Sequence, residues 1–148
     1  MDMKKIVICL FLIVALIFCA AKDEPTVPNL RVISGTQEIE GLSCGYELVY
    51  QRVWGETSHI IADCAGVEQV AKEADSLHLK GGEMLKLDFS QVIDHYVIFD
   101  WNKQAEIEMQ SNDFVAPQDV GTYLYVITAY FGKSEVNYVI KIEVESEI

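Results

Sequence analysis

The 148 residues carry 11 Lys and Arg against 23 Asp and Glu, a formal charge of −12, with 51% apolar residues, four Cys and three Pro. That is one domain's worth of a composition able to bury a core, unlike that of a disordered or collagen-like chain. A pI near 4.5 lacks the basic field that phosphate neutralisation needs, which excludes nucleic acid as a partner and electrostatic docking on anionic lipid.

At the start of the chain, Lys4 and Lys5 precede an uncharged run over residues 6–21, 16 residues long, and Lys22, Asp23 and Glu24 follow at once. This predicts an export signal over residues 1–21, since the run falls short of the roughly 20 residues a spanning helix needs. Two processing sites compete. Cys19 after Leu16-Ile17-Phe18 resembles the lipobox of bacterial lipoproteins, with Leu in the fitting place and Phe18 where that pattern has Gly, Ala or Ser. The resemblance implies a lipid anchor on Cys19. The rival is cleavage after Ala21 and free secretion. Either way the mature chain works outside the cytoplasm, at the cell membrane or beyond it. Residues 22–28 read as a polar tether and residues 29–148 as a single domain. Without residues 1–21 the basic count loses Lys4 and Lys5 and the acidic count loses Asp2, leaving 9 against 22.

Export decides how the cysteines are read. The folded part holds just Cys44 and Cys64, and two cysteines in an oxidising compartment most simply form one disulfide. Zinc needs more ligands than this pair and three scattered histidines offer, so neither metal nor cofactor is expected. If Cys44 faces Cys64 across an antiparallel ladder, residue 54 is the midpoint. Val53-Trp54-Gly55 then forms the hairpin loop, with Arg52 opposite Glu56, Tyr50 opposite Ser58 and Tyr46 opposite Ala62. A three-residue loop ending in glycine is a type I turn with a bulge, which needs positive φ at its last position.

Residues 67–74 place Val67, Val70, Ala71 and Ala74 at helical spacing and predict one short helix. From Leu77 onward, short strands alternate with turn signals at Gly81-Gly82, Asn102, Ser111-Asn112, Pro117 and Gly132. Leu85, Leu87 and Phe89 share one strand face. Val97, Phe99 and Trp101 oppose Tyr96, Ile98 and Asp100, and Ala105, Ile107 and Met109 oppose Glu106, Glu108 and Gln110. Tyr123, Tyr125, Ile127, Ala129 and Phe131 form one side of a closing hairpin. After a turn at Gly132-Lys133-Ser134, the other side is Val136, Tyr138, Ile140, Ile142 and Val144.

Short β-branched and aromatic strands at this spacing predict an all-β sandwich or barrel. Asp119-Val120-Gly121-Thr122-Tyr123 matches the D-x-G-x-Y corner of immunoglobulin-like domains, with Asp119, Gly121 and Tyr123 as its structural residues. The expected fold is therefore an Ig-like antiparallel β-sandwich with a disulfide-closed hairpin and at most one short helix. The corner implies a largely buried Tyr123 whose hydroxyl bonds to upstream backbone. Tyr125 stands where antibody-type domains have cysteine, and Trp101 is a candidate for the packed core tryptophan. Taken whole, Pro25 to Leu30, Gly45-Tyr46, Cys64-Ala65-Gly66, Gly82 to Phe89 and Gly121 to Tyr125 resemble a group of exported proteins of Gram-positive bacteria. In that group an aromatic and the partner cysteine follow the Tyr, whereas here Glu47-Leu48 follow and Cys44 precedes. The resemblance implies a surface-attached β-sandwich without a known activity.

Candidates for chemistry are sparse. His59 and Asp63, four residues apart beside Cys64, suggest a base and an orienting carboxylate, but a disulfide leaves Cys64 no thiolate. His78 and His95 read as solvent-facing strand residues. Glu106, Glu108, Glu143, Glu145 and Glu147 read as a solvated acidic face, since no calcium-loop pattern accompanies them. Tyr46, Tyr50 and Trp54 are the candidate binding residues, because aromatics on an exposed hairpin offer rigid contact area at low entropy cost. Tyr46 and Tyr50 are taken to share one strand face with Leu48 opposite, which leaves the buried face open. The sequence thus points to a non-enzymatic, monomeric module of the cell envelope or secreted medium whose partner is an envelope protein, peptide or glycan. The alternative is a secreted inhibitor-like or sensor domain acting through loops such as Gly81-Gly82.

Overall fold

In the computed structural model, residues 3–20, 25–52, 55–107 and 114–146 are described. An N-terminal helix, α1 (Met3–Ala20), precedes an almost wholly β chain. Its elements are β1 (Leu30–Ser34), β2 (Gln37–Gln51), β3 (Thr57–Ala62), the short helix α2 (Val67–Glu73), β4 (Ser76–Lys80) and β5 (Met84–Phe89). They continue with β6 (His95–Asp100), β7 (Ala105–Glu106), β8 (Phe114–Val115), β9 (Gly121–Phe131) and β10 (Ser134–Glu145). Among the described residues no helix is long and apolar enough to cross a membrane.

The ten strands form one sheet in the order β7-β6-β9-β10-β2-β1-β5-β8, with β3 added to β2 and β4 to β10. The sheet curls into a half-barrel, so its two ends face each other. Phe114 of β8 meets Tyr125 of β9 edge-on with ring centroids 5.0 Å apart. Phe89 of β5 lies 6.1 Å from Tyr138 of β10 and 5.8 Å from Tyr96 of β6. The β5–β8 end of the curled sheet therefore packs over its β6–β9–β10 part. Two features depart from the expected layout. The β1–β2 hairpin, joined through Gly35-Thr36, was not legible as strands, and β4 runs parallel to β10, from Ser76 beside Lys141 to Lys80 beside Glu145.

β10 is the structural spine. It pairs with β9 from Ser134 to Val144 and also with β2 and β4, and Val136, Tyr138, Ile140, Ile142 and Val144 are buried as the alternation predicts. The closing turn is tighter than the three residues expected. Ser134 already pairs with Phe131, so Gly132-Lys133 is a two-residue turn with Gly132 at φ 59, which suits glycine at the first central position of a type II′ turn. In β6 the inward residues are Ile98 and Asp100, while Val97 and Phe99 lie half-exposed outside. Trp101 is not the core tryptophan. It lies half-exposed in the turn after β6, edge-on to Phe99. The large interior rings are instead Tyr125, Tyr138 and Phe114.

A bulge connects the two layers. β2 advances three residues from Ser43 to Tyr46 while β10 advances two from Tyr138 to Val136, so Cys44-Gly45 carries one extra residue, with Gly45 at φ 103. An extra residue reverses which positions face the core. Tyr46 and Leu48 face inward on one side of the bulge, and Ile39 and Gly41 on the other. A Cβ on Gly41 would sit 2.9 Å from Leu30 Cδ2 and 3.3 Å from Ile140 Cγ2, so glycine lets those two core side chains meet.

Candidate functional site

The hairpin of β2 and β3 is built by its turn and by the covalent link at its base. The Arg52 amide donates to the Glu56 carbonyl at 2.8 Å and the Gly55 amide to the Arg52 carbonyl at 2.9 Å, with Gly55 at φ 83. These bonds and the positive φ of Gly55 fit a hairpin loop that ends in a glycine bulge. Tyr50 pairs with Ser58 and Tyr46 with Ala62, the register expected from the cysteine midpoint. Cys44 and Cys64 are bonded, with Cα atoms 4.8 Å apart. Cys64 Sγ also accepts the Gly66 amide at 3.4 Å, where the chain turns into α2. That helix lies on β10, where Lys141 Nζ donates to the Ala71 carbonyl at 3.4 Å, and it buries Ala71, with Ala74 just past its end buried as well.

The aromatic candidates do not form a free cluster. Leu48 shares the face of Tyr46 and Tyr50, as any residues two apart on a strand must, and corrects the placement opposite them. Leu48 is 2% exposed, Tyr46 packs against the core, and Tyr50 is half-buried. Trp54 and Val53 lie outside the described residues. The outer face of the hairpin carries His59, Ile61 and Thr57, all exposed, with Ile61 at 66%.

His59 finds a different carboxylate from the one expected. Its Nδ1 lies 2.7 Å from Glu47 Oε1 across the β2–β3 ladder, and Asp63 is exposed. Strand geometry explains the change: Glu47 is a diagonal neighbour of His59 on the adjacent strand, and Asp63 falls beyond the strand's end. His78 makes a similar link, its Nδ1 2.8 Å from Glu145 Oε1 and 3.6 Å from Glu143 Oε2. Ser76 Oγ donates to Glu143 Oε1 at 2.7 Å. An open depression of about 420 Å³ beside these acids, lined by Thr122, Glu143 and Glu145 among others, has no counterpart in the sequence reading. His95 is exposed and stacks on Tyr130, centroids 4.6 Å apart. Glu106 is exposed, and Glu108 and Glu147 lie outside the described residues. Among the described residues no group of three or more His, Cys, Asp or Glu is placed to hold a metal ion.

At the corner, the Tyr123 hydroxyl donates to the Asp119 carbonyl at 2.8 Å, and the ring lies over Gly121. The ring is half-buried rather than largely buried as expected, because β9 begins at the rim of the sheet. Gly81-Gly82 is no free loop: a Cβ on Gly81 would sit 2.6 Å from the Gln118 carbonyl oxygen, and the Gly82 amide donates to the Ala116 carbonyl. Cys19 falls in α1, and its side chain lies outside the described residues.

Asp100 is a buried group that sequence reasoning missed. It is 2% exposed, its Oδ1 accepts the Lys103 amide at 3.0 Å, and Lys103 Nζ lies 3.6 Å from Oδ2. It caps the turn between β6 and β7. The signal was an aspartate two residues before Asn102 and three before a lysine, a turn-capping pattern. No family model, curated protein or solved structure matches the chain.

Proposed function

We propose that this chain is an exported, non-enzymatic binding module that works outside the cytoplasm, held at the membrane by its N-terminus or released from it. The observation that carries the reading is the β2–β3 hairpin: a disulfide closes its base, backbone bonds among Arg52, Gly55 and Glu56 close its far end, and β3 borders the sheet with His59 and Ile61 exposed. A clamped, exposed hairpin is a recognition surface with little ordering entropy left to lose on binding. The disulfide is consistent with an oxidising compartment. The Lys4-Lys5 start, the apolar α1 and the cysteine-flanked end of that run support export, with an envelope protein, peptide or glycan as partner.

The test is chemical crosslinking of the full-length chain in intact cells that export it, alongside a Trp54→Ala version. A partner captured by the wild-type chain and depleted in the variant supports the reading. A chain that stays in the cytoplasmic fraction, or that captures nothing, refutes it.

A further inference from the structure

β3 is an open sheet edge, and its pattern and surroundings specify what it can accept. In a hairpin closed by the Arg52–Glu56 pair, bonded pairs recur at every second residue. Ser58, Ile60 and Ala62 therefore spend their amides and carbonyls on β2, and Thr57, His59 and Ile61 turn theirs outward. Among the described residues no other strand pairs with β3. Thr57-Ser58-His59-Ile60-Ile61-Ala62 has no Lys, Arg, Asp, Glu or Pro, the residues that usually blunt such an edge. The other free borders differ: β4 carries Lys80 and His78, and β7 and β8 are two residues each.

Charge decides the occupant. Glu56 and Asp63 bracket the strand, both exposed and neither in an ion pair among the described residues, and Glu47 lies on the neighbouring strand. A second copy pairing antiparallel about His59 would set Asp63 of each copy beside Glu56 of the other, putting like charges at both ends. A basic segment would instead be neutralised there, and the excess of acids over bases across the chain steers it in.

We propose that β3 takes up an extended segment of a cationic partner polypeptide as an added strand, with basic residues about 23 Å apart, the span of seven strand residues, meeting Glu56 and Asp63. This rests on the binding-module reading above and names its surface and the partner's chemistry.

The probe is a fluorescein-labelled eight-residue peptide of alternating Thr and Val with Lys at each end, titrated into the full-length chain, with a Glu-ended peptide as control. The expected result is saturable binding of the Lys-ended peptide, at least tenfold tighter than the control. Amide exchange should slow at Thr57, His59 and Ile61 and stay unchanged at Ser58 and Ile60. Ile61→Pro removes one outward N–H and no β2–β3 bond, and should weaken binding at least tenfold. A double Glu56→Lys, Asp63→Lys variant leaves the backbone untouched and should reverse the preference toward the Glu-ended peptide, which decides the matter if Ile61→Pro fails to fold. Absence of saturable binding, protection on another strand, or a charge swap without effect overturns the proposal. So does a dimer of the free chain abolished by Ile61→Pro, which would make a second copy the occupant. If crosslinking in cells still captures a partner that the charge swap leaves bound, the edge proposal falls while the binding-module reading stands.

Discussion

Tyr125 is buried and meets Phe114 edge-on, which joins the two ends of the curled sheet. Burial, helped by the nearby Asp100 and Tyr123, pushes its phenol well above the ordinary tyrosine range. Burial also pushes Tyr138 up to about 12, and the Tyr138 hydroxyl donates to the Pro28 carbonyl at 2.6 Å inside the core. Both phenols hold their proton longer in the folded chain than in the unfolded one. Their contribution is therefore complete below pH 10 and is lost as pH rises from about 10 toward 12, at up to about 1.4 kcal/mol per pH unit for each. Urea midpoints measured from pH 9 to 11.5 should fall accordingly, and Tyr138→Phe should flatten the slope. A slope unchanged by that substitution would contradict this. Tyr123 tests the corner: its hydroxyl bond is half-exposed, so Tyr123→Phe should cost about 0.5–1.5 kcal/mol and a few degrees of melting temperature. Tyr130→Phe serves as the control. If the control melts lower than Tyr123→Phe, the corner bond contributes nothing.

At the level of elements, the hairpin, the short helix and the β9–β10 closure were legible because each has a local cause: a cysteine midpoint with a glycine at the right offset, a 3.6-residue period, a two-residue period across a turn. β1 and the first half of β2 were not. Gln37-Glu38-Ile39-Glu40-Gly41 offers one apolar side chain in five, and the bulge at Cys44-Gly45 reverses the inward positions midway, so no single period runs through β2. The parallel pairing of β4 with β10 is a long-range choice that neither strand's own pattern encodes. At the candidate site the disulfide and register could be read, whereas the His59–Glu47 pair depends on which strands are neighbours. Replacing Cys44 and Cys64 together by Ser opens a loop closed over a separation of 20 residues, for which chain entropy predicts a loss of roughly 3 kcal/mol. Denaturant titration should show that loss, and amide exchange should show it first in β3, which is bonded on one side only. Gly81→Ala should cost about 1–3 kcal/mol, since its Cβ meets backbone at Gln118. Gly35→Ala meets no atom within 4 Å and should cost about 1 kcal/mol or less, from its φ of 56 alone. Equal melting temperatures for the two variants would refute the close approach of Gly81 to Gln118.

For the whole molecule, the decisive asymmetry is between an acidic β domain and an apolar N-terminal helix. The domain's core is assembled from Leu30 onward, with Val27 packed against it, and among the described residues none of α1 belongs to it. In α1, Val7, Ile8, Leu10, Phe11 and Leu12 are exposed, so the helix leaves apolar surface in water that a membrane or an export machine would cover. With the Cys44–Cys64 bond formed in both, the chain truncated by deleting residues 1–21 should therefore melt within about 2 °C of the full chain, since changes away from packed features cost within about 0.5 kcal/mol. The same deletion should change where the protein is found. The full chain, expressed in cells that export it, should appear outside the cytoplasm, and the truncated chain should stay inside, where its disulfide is kept reduced. Cys19→Ser separates the two modes of attachment. If Cys19 carries lipid, the wild-type chain incorporates a labelled fatty acid and the variant does not, with its domain folded and the Cys44–Cys64 bond intact. If cleavage falls after Ala21, wild type and variant are both released, and a mature N-terminus at Lys22 identifies the cut. A truncated chain that, with its Cys44–Cys64 bond formed, still unfolds well below the full chain would show that α1 packs on the domain and is part of the fold rather than of its delivery.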